Sequence, residues 1–244
     1  FLDKGAEWFD RTEFRVTYYK FLITTILDSL GVHESEYEFV RGKDYQLHPQ
    51  YVLDLLRFLT HITVPQAKKA GSDVVKQNKE PSLGSLVYPL MQAIDEVALE
   101  ADIELGGEDQ RKIFALSRDH IEKLGYNKCA YVMNPLLPSL SKPGAKMSSS
   151  DLIGKIEFTD SKEVISEKIK KAYCVEQEIK DNPCMELARL IVYPMGCKMF
   201  LDGPLHSYKE LEDAWVQRHV TAKQLKTWLA DAVDYIVSPI RSAI

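Results

Sequence analysis

Asp102-Ile103-Glu104-Leu105-Gly106-Gly107-Glu108-Asp109-Gln110-Arg111-Lys112 is the stretch whose reading decides the fold. Residues 102–105 alternate polar and apolar, as a strand does. Gly106 and Gly107 end that run, and residues 109–123 carry a helical pattern that closes on Gly125. Glycines at a strand end let a ligand approach the backbone, and the helix N-terminus that follows favours a negative group. A Gly-Gly turn followed by an Asp cap accounts for the same residues structurally. Gln110 projects from the first helical turn, near the carboxyl end of the strand, where ligands bind in open parallel sheets.

Strands and helices alternate on either side of this stretch. Residues 11–30 read as an amphipathic helix closed by Gly31, and Tyr37-Glu38-Phe39-Val40 as a short strand. Residues 50–61, 65–77 and 83–99 read as helices, the second with Pro65 at its start. Ala130-Tyr131-Val132-Met133 is a further strand, ended by Asn134-Pro135. Such alternation predicts an α/β fold with a parallel sheet. After Asp151 the pattern changes, and residues 161–173, 183–193, 208–218 and 221–244 all favour helix. The expected division is an α/β domain over residues 1–157 and an all-α domain over 158–244. A nucleotide-binding domain of this type opens with a strand, a tight turn and a helix. No such unit precedes Phe1, so the chain is expected to begin partway through the fold.

The 244 residues are 45% hydrophobic and 27% charged, an ordinary composition for a globular protein. No apolar run approaches the length that spans a bilayer. A net charge of −5 excludes a protein that coats nucleic acid without specificity, so any RNA contact must use local basic clusters. Cys129, Cys174, Cys184 and Cys197 lack metal-ligand spacing and read as reduced thiols of a cytoplasmic protein. The six histidines show no paired spacing that would hold a metal.

Three further groups bear on chemistry. On the helix over residues 83–99, Leu83, Leu86, Val87, Leu90, Met91, Ile94 and Val97 share one face, and Tyr88, Gln92 and Asp95 lie opposite. That polar stripe reads either as a solvated face or as a pocket wall offering a phenol, an amide and a carboxylate. Lys68, Lys69 and Lys76 on one predicted helix, with Lys112 elsewhere, read as a solvated face or as a contact to a phosphate backbone. Lys146-Met147-Ser148-Ser149-Ser150 follows Ser-Lys-Pro-Gly-Ala, within a loop over residues 141–155. A lysine followed by three hydroxyls on a loop suits a polyphosphate.

Together these residues resemble the tyrosyl-tRNA synthetases of class I, of the archaeal and eukaryotic type. Tyr88, Pro89, Gln92 and Asp95 match the family's Tyr-Pro-x-x-Gln-x-x-Asp, and residues 106–112 match its Gly-Gly-x-[Asp/Glu]-Gln-Arg-Lys. Residues 134–150 match its Asn-Pro…Gly-x-Lys-Met-Ser-Ser-Ser run, the KMSKS-type signature. Ile169-Lys170-Lys171-Ala172-Tyr173-Cys174 and Asn182-Pro183 also recur there, and Tyr45-Gln46-Leu47 resembles a pocket segment. The likeness covers nearly the whole chain.

The resemblance implies a Rossmann-like catalytic domain, with its N-terminal part absent, and an anticodon-binding helical domain. It implies activation of tyrosine with ATP (carrying Mg2+, with no metal held by the protein) and transfer of the tyrosyl group to tRNA(Tyr). Asp95 would bind the phenolic hydroxyl, Tyr88, Gln92 and Gln110 the amino group, and Gln46 would line the pocket. Gly106, Gly107, Asp109 and residues 146–150 would bind ATP, with Lys146, Ser148 and Ser149 acting on the leaving pyrophosphate. Lys69 and Lys112 would approach the acceptor stem.

Two departures qualify this. The family's histidine motif and one substrate-binding tyrosine would lie before Phe1, so activity is expected to require residues upstream. Gln224 and Thr221 stand where the family carries an anticodon-reading Asp and a His. A homodimer, or a fused pair of copies that divides catalysis from anticodon reading, fits this pattern. The alternatives are a non-catalytic copy that binds RNA or forms the dimer, and the tryptophan enzyme of the same subclass. The latter carries a different segment where this chain has residues 106–112.

Overall fold

The computed structural model describes residues 11–74, 81–148 and 151–244. The chain divides into two compact units, one of Phe1–Lys20 with Ser35–Pro135 and one of Phe21–Glu34 with Leu136–Ile244.

In the first unit, β1 (Ile103–Gly107) and β2 (Ala130–Asn134) pair in parallel, from Ile103 opposite Ala130 to Gly107 opposite Asn134. Parallel neighbours need a crossover, and α6 (Arg111–His120) provides it. This is the α/β arrangement expected above. A 3-10 turn over Glu108–Gln110 leads into α6, and a second over Ile121–Leu124 ends at Gly125, whose φ of 91° suits a residue without Cβ. Gly107, not Asp109, caps the first of these turns.

α5 (Leu83–Ala98) starts where Ser82 Oγ accepts from the Ser85 N–H at 3.2 Å. It packs on α3 (Pro49–Leu59), α4 (Val64–Ala70) and α6 through Tyr51, Phe58, Leu90, Ile94 and Leu116. Its buried face is turned relative to the expected one. Ser85, Pro89, Ala93 and Glu96 are buried beside Leu90 and Ile94, whereas Leu83 is exposed. Helices on several sides of α5 leave no single apolar stripe.

Three further sequence expectations differ from the structure in the first half of the chain. α4 ends at Ala70 with Gly71 as its C-cap, short of residue 77, and residues 75–80 lie outside the described ones, Lys76 among them. Residues 37–40 form no strand, since alternation supplies faces but not the neighbouring chain that a ladder needs. The Tyr37 and Phe39 rings meet edge to face at 5.4 Å instead. α1 (Thr12–Ser29) is a helix followed by Gly31 at φ 78°, as expected, yet it is not amphipathic. Its apolar side chains circle the axis and none of its residues is buried.

The second unit is built on α7 (Lys162–Lys171), α8 (Pro183–Leu187), α9 (Tyr208–Val216) and α10 (Ala222–Ala243). They surround Ile165, Ile169, Met185, Leu211, Trp215, Leu225 and Leu229. Asn182, fully buried, caps α8 by accepting from Cys184 N at 3.1 Å and Met185 N at 3.4 Å, which explains the Asn-Pro pair structurally. The helical region expected here is present, and it also carries a short antiparallel ribbon of β3 (Met199–Phe200) and β4 (Pro204–Leu205). Asp202-Gly203 between them is a turn signal. Leu140 is buried in the same core, and its carbonyl accepts the Tyr173 N–H at 2.8 Å. Leu140 thus belongs with the helices, and the two units divide at Pro135, whereas the sequence expectation drew the division near Glu157. Among the described residues, no helix is long and apolar enough to cross a membrane.

Candidate active site

Asp95 lies on the last turns of α5 and is half-buried. Gln46, the C-cap of the short helix α2 (Gly42–Tyr45), donates from Nε2 to Asp95 Oδ1 at 3.0 Å. The Tyr51 hydroxyl of α3 donates to the same oxygen at 2.8 Å, in reach of the Met91 carbonyl at 3.0 Å. Both short bonds fall on Oδ1. Burial pushes the Asp95 carboxyl up, and the hydrogen bonds from Gln46, Tyr51 and Tyr45 pull it back down. The same burial, with the nearby Asp95 charge, raises the Tyr45 and Tyr51 phenols, which therefore stay protonated as donors.

One turn earlier on α5, Gln92 Nε2 donates to Gln110 Oε1 and to Glu104 Oε1, each at 3.2 Å. Gln110 Nε2 donates in turn to Asp109 Oδ1 at 3.2 Å. The structure thus joins Gln92, Gln110 and Asp109 in one chain of bonds, and Asp95 and Gln46 in another. Tyr88, exposed, lies one turn before Gln92 on the same helix.

Gly106 serves packing. A Cβ there would meet Phe114 Cζ at 2.8 Å and Gln110 Cγ at 3.1 Å, so a bare Cα lets α6 close on β1. Gly107 follows as the cap already described. Lys69 and Lys112 line one cavity of about 210 Å³ with Gln66, Asp119 and His120. Lys112 Nζ is held by Ser72 Oγ at 2.6 Å and Asp73 Oδ1 at 2.8 Å.

In the second unit, Lys146 is exposed and forms an antiparallel bridge with Pro138. Met147 N donates to the Leu137 carbonyl at 2.6 Å, and its side chain packs on the helical core. Gly144 turns the loop at φ 70°. Asp151 holds its base. Oδ1 accepts from Gly154 N at 3.0 Å and Ile153 N at 3.3 Å, and Oδ2 from Ser139 and Ser141, each at 3.3 Å. The Gly154 N–H, followed by the charge of Lys142, keeps the Asp151 carboxyl below its ordinary range. Ser148 is half-buried, and Ser149 and Ser150 lie outside the described residues. Among the described residues, no cluster of three or more His, Cys, Asp and Glu side chains could hold a metal ion.

The family model for class I tRNA synthetases of the W and Y type matches residues 10–238. The chain belongs to this family. It is 40% identical over 255 residues to the tyrosine--tRNA ligase of Natronomonas pharaonis, covering 100% of this chain and 73% of that protein. It is 35% identical to the cytoplasmic tyrosine--tRNA ligase of Saccharomyces cerevisiae, covering 99% of this chain and 65% of that one. The crystal structure of tyrosyl-tRNA synthetase complexed with L-tyrosine from Archaeoglobus fulgidus superposes with a TM-score of 0.88 at 30% identity. The match covers 99% of this chain and 75% of that one.

Several residues around the family's motifs escape a reading of motifs alone. Tyr51 sits among apolar residues at helical spacing and reads as core. Its signal is the hydroxyl, since a buried tyrosine needs a partner for its O–H. Glu96 directly follows Asp95 and is 6% exposed. Glu104 occupies a strand position whose apolar neighbours face outward. Gln224 is the third residue of α10, and its Oε1 accepts from Thr221 N at 2.9 Å and Thr221 Oγ1 at 2.7 Å in a capping box.

Proposed function

We propose that this chain is a tyrosine–tRNA ligase that joins tyrosine to ATP, giving tyrosyl-adenylate and pyrophosphate, and then passes the tyrosyl group to the 3′ end of tRNA(Tyr). The observation that carries the reading is the Asp95 carboxylate. Gln46 and Tyr51 hold its Oδ1 at 3.0 and 2.8 Å, which orients the half-buried carboxylate to accept a phenolic hydroxyl. Phenylalanine would leave that buried acceptor unmatched, and such a loss separates substrates that differ by one oxygen. Gln46 then acts mainly by orienting Asp95. Tyr88, Gln92 and Gln110 take the ammonium.

Activation needs no side-chain nucleophile. The tyrosine carboxylate attacks the α-phosphate in line, and pyrophosphate leaves with the P–O bond electrons. Catalysis comes from positioning and from cationic stabilisation, which Lys146 supplies with Ser148 and Ser149 beside it. Gly106, Gly107, Asp109, Met147 and Ser150 are, by their places in the family's motifs, further candidates for binding ATP, and Mg2+ comes in with the triphosphate as part of the substrate.

Lys69 and Lys112, which line one cavity, contact the acceptor stem. The helices after residue 157 serve the anticodon arm. The working assembly is a homodimer or a fused pair, and a cytoplasmic place agrees with the yeast relative's name. The test is tyrosine-dependent exchange of labelled pyrophosphate into ATP by the full-length protein. Exchange with tyrosine, and not with tryptophan or phenylalanine, is the expected result. No exchange with tyrosine would move the reading to a non-catalytic copy.

A further inference from the structure

Glu104 faces inward from β1, while its strand neighbours Ile103 and Leu105 are 64% and 66% exposed. The strand thus turns its acid in and its apolar residues out, the reverse of the usual pattern. A carboxylate held inside needs partners. Oε1 of Glu104 accepts from Gln92 Nε2, and Oε2 is buried with no hydrogen bond among the described residues.

One turn beyond Gln92, Glu96 repeats the arrangement. Its Oε2 accepts from Ser117 Oγ and from the Tyr131 hydroxyl, each at 2.8 Å, and its Oε1 is buried and unmatched. Burial raises the Glu96 carboxyl to about 8, and the adjacent, hydrogen-bonding Glu104 adds to the effect. One proton held between the two acids satisfies both orphan oxygens. The pair is therefore neutral enough to stay inside and still offers Gln92 an oxygen that only accepts.

A glutamine amide can turn over and exchange its oxygen for its NH2. Here both ends of the bond chain decide the direction. The Asp109 carboxylate takes the Gln110 NH2, which leaves Gln110 Oε1 to accept from Gln92. Glu104 takes a second hydrogen from the same Gln92 nitrogen. With both hydrogens committed, Gln92 presents Oε1, an acceptor suited to an ammonium; turned over, it would present two donors and repel one.

We propose that Glu104, backed by Glu96, is a positioning residue that fixes the Gln92 amide oxygen toward the ligand and so selects amino acids with a free ammonium. The inference rests on the tyrosine reading above. It is tested by measuring, on the full protein, the affinity for L-tyrosine and for 3-(4-hydroxyphenyl)propanoate, which is tyrosine without its amino group.

Glu104→Leu should weaken tyrosine by about tenfold, the worth of a hydrogen bond to a charged group, and the deamino analogue less than twofold. Glu104→Gln keeps an acceptor toward Gln92 and gives Glu96 a donor in place of the proton, so it should retain the wild-type preference. Should the leucine variant not fold, Glu104→Ser carries the same expectation. Equal losses for both ligands in Glu104→Leu or Glu104→Ser, or a Glu104→Gln variant as impaired as they are, would overturn the inference. A wild-type protein that binds the analogue but prefers it to tyrosine would also overturn it. One that binds neither would remove the tyrosine reading, and this inference with it.

Discussion

The surroundings of Asp95 and the loop that carries Lys146 solve opposite problems. Asp95, Gln92 and Gln110 stand on helices and are locked by bonds of 2.8 to 3.2 Å to neighbours that are themselves packed. Lys146 stands exposed on a loop bridged to Pro138, and at the base of that loop Asp151 gathers two backbone N–H groups and two serine hydroxyls. Rigid donors and acceptors discriminate, because a wrong ligand leaves them unmatched. A charge on a loop discriminates little, yet it can act where negative charge builds up during reaction. Under the proposed function, the two regions divide selection from acceleration.

Mutations should separate these roles. Lys146→Ala should slow adenylate formation by roughly 10²-fold or more, with tyrosine affinity changed less than twofold, as read by pre-steady-state fluorescence or single-turnover assay. An unchanged rate would remove the division of labour. Asp95→Ala should act the other way and lower the kcat/KM ratio of tyrosine over phenylalanine by about 10²-fold, since a hydrogen bond to a charged group is lost and the Gln46 and Tyr51 donors are orphaned. Retained selectivity would place phenol recognition elsewhere.

A pH experiment tests the locked region by itself. Folded Glu96 holds its proton up to about pH 8, whereas an unfolded glutamate releases it near 4.5. The native state then binds the extra proton between those values, so stability falls as pH rises from 4.5 to 8 and is level above. Glu96→Gln should flatten that slope and raise stability at pH 8 by about 1–2 kcal/mol, measured by urea unfolding at several pH values. A parallel slope in both proteins would show that another group carries it. The smallest effect belongs to Tyr51→Phe. Losing one of the two donors on Asp95 Oδ1 should raise the KM for tyrosine about fivefold, near 1 kcal/mol, and leave the KM for ATP alone.

Much of this was legible in the sequence where local chemistry decides. The Gly-Gly pair that ends the alternating run, the helical spacing over residues 83–99 and the closing Gly125 placed β1, α5 and α6 within a few residues. The Tyr88, Gln92, Asp95 stripe followed from helical spacing. What failed needed information about neighbours. Residues 37–40 alternate but pair with no strand among the described residues, and α1 has apolar residues on every side, so no single face could be assigned. Tyr51 and Glu96 were missed for related reasons. A tyrosine at a core position and an acid beside a known acid look ordinary until the structure shows what their oxygens touch.

Gly106 carries a consequence for how variation at that position should be interpreted. Phe114 and Gln110 occupy the space that a methyl group would take. Any larger residue would press the helix outward and carry the Gln110 amide with it, so recognition of the amino acid would suffer although Gly106 itself does not contact it. An unvarying glycine among related sequences would then report the fit of a helix against a strand as well as any approach of the nucleotide.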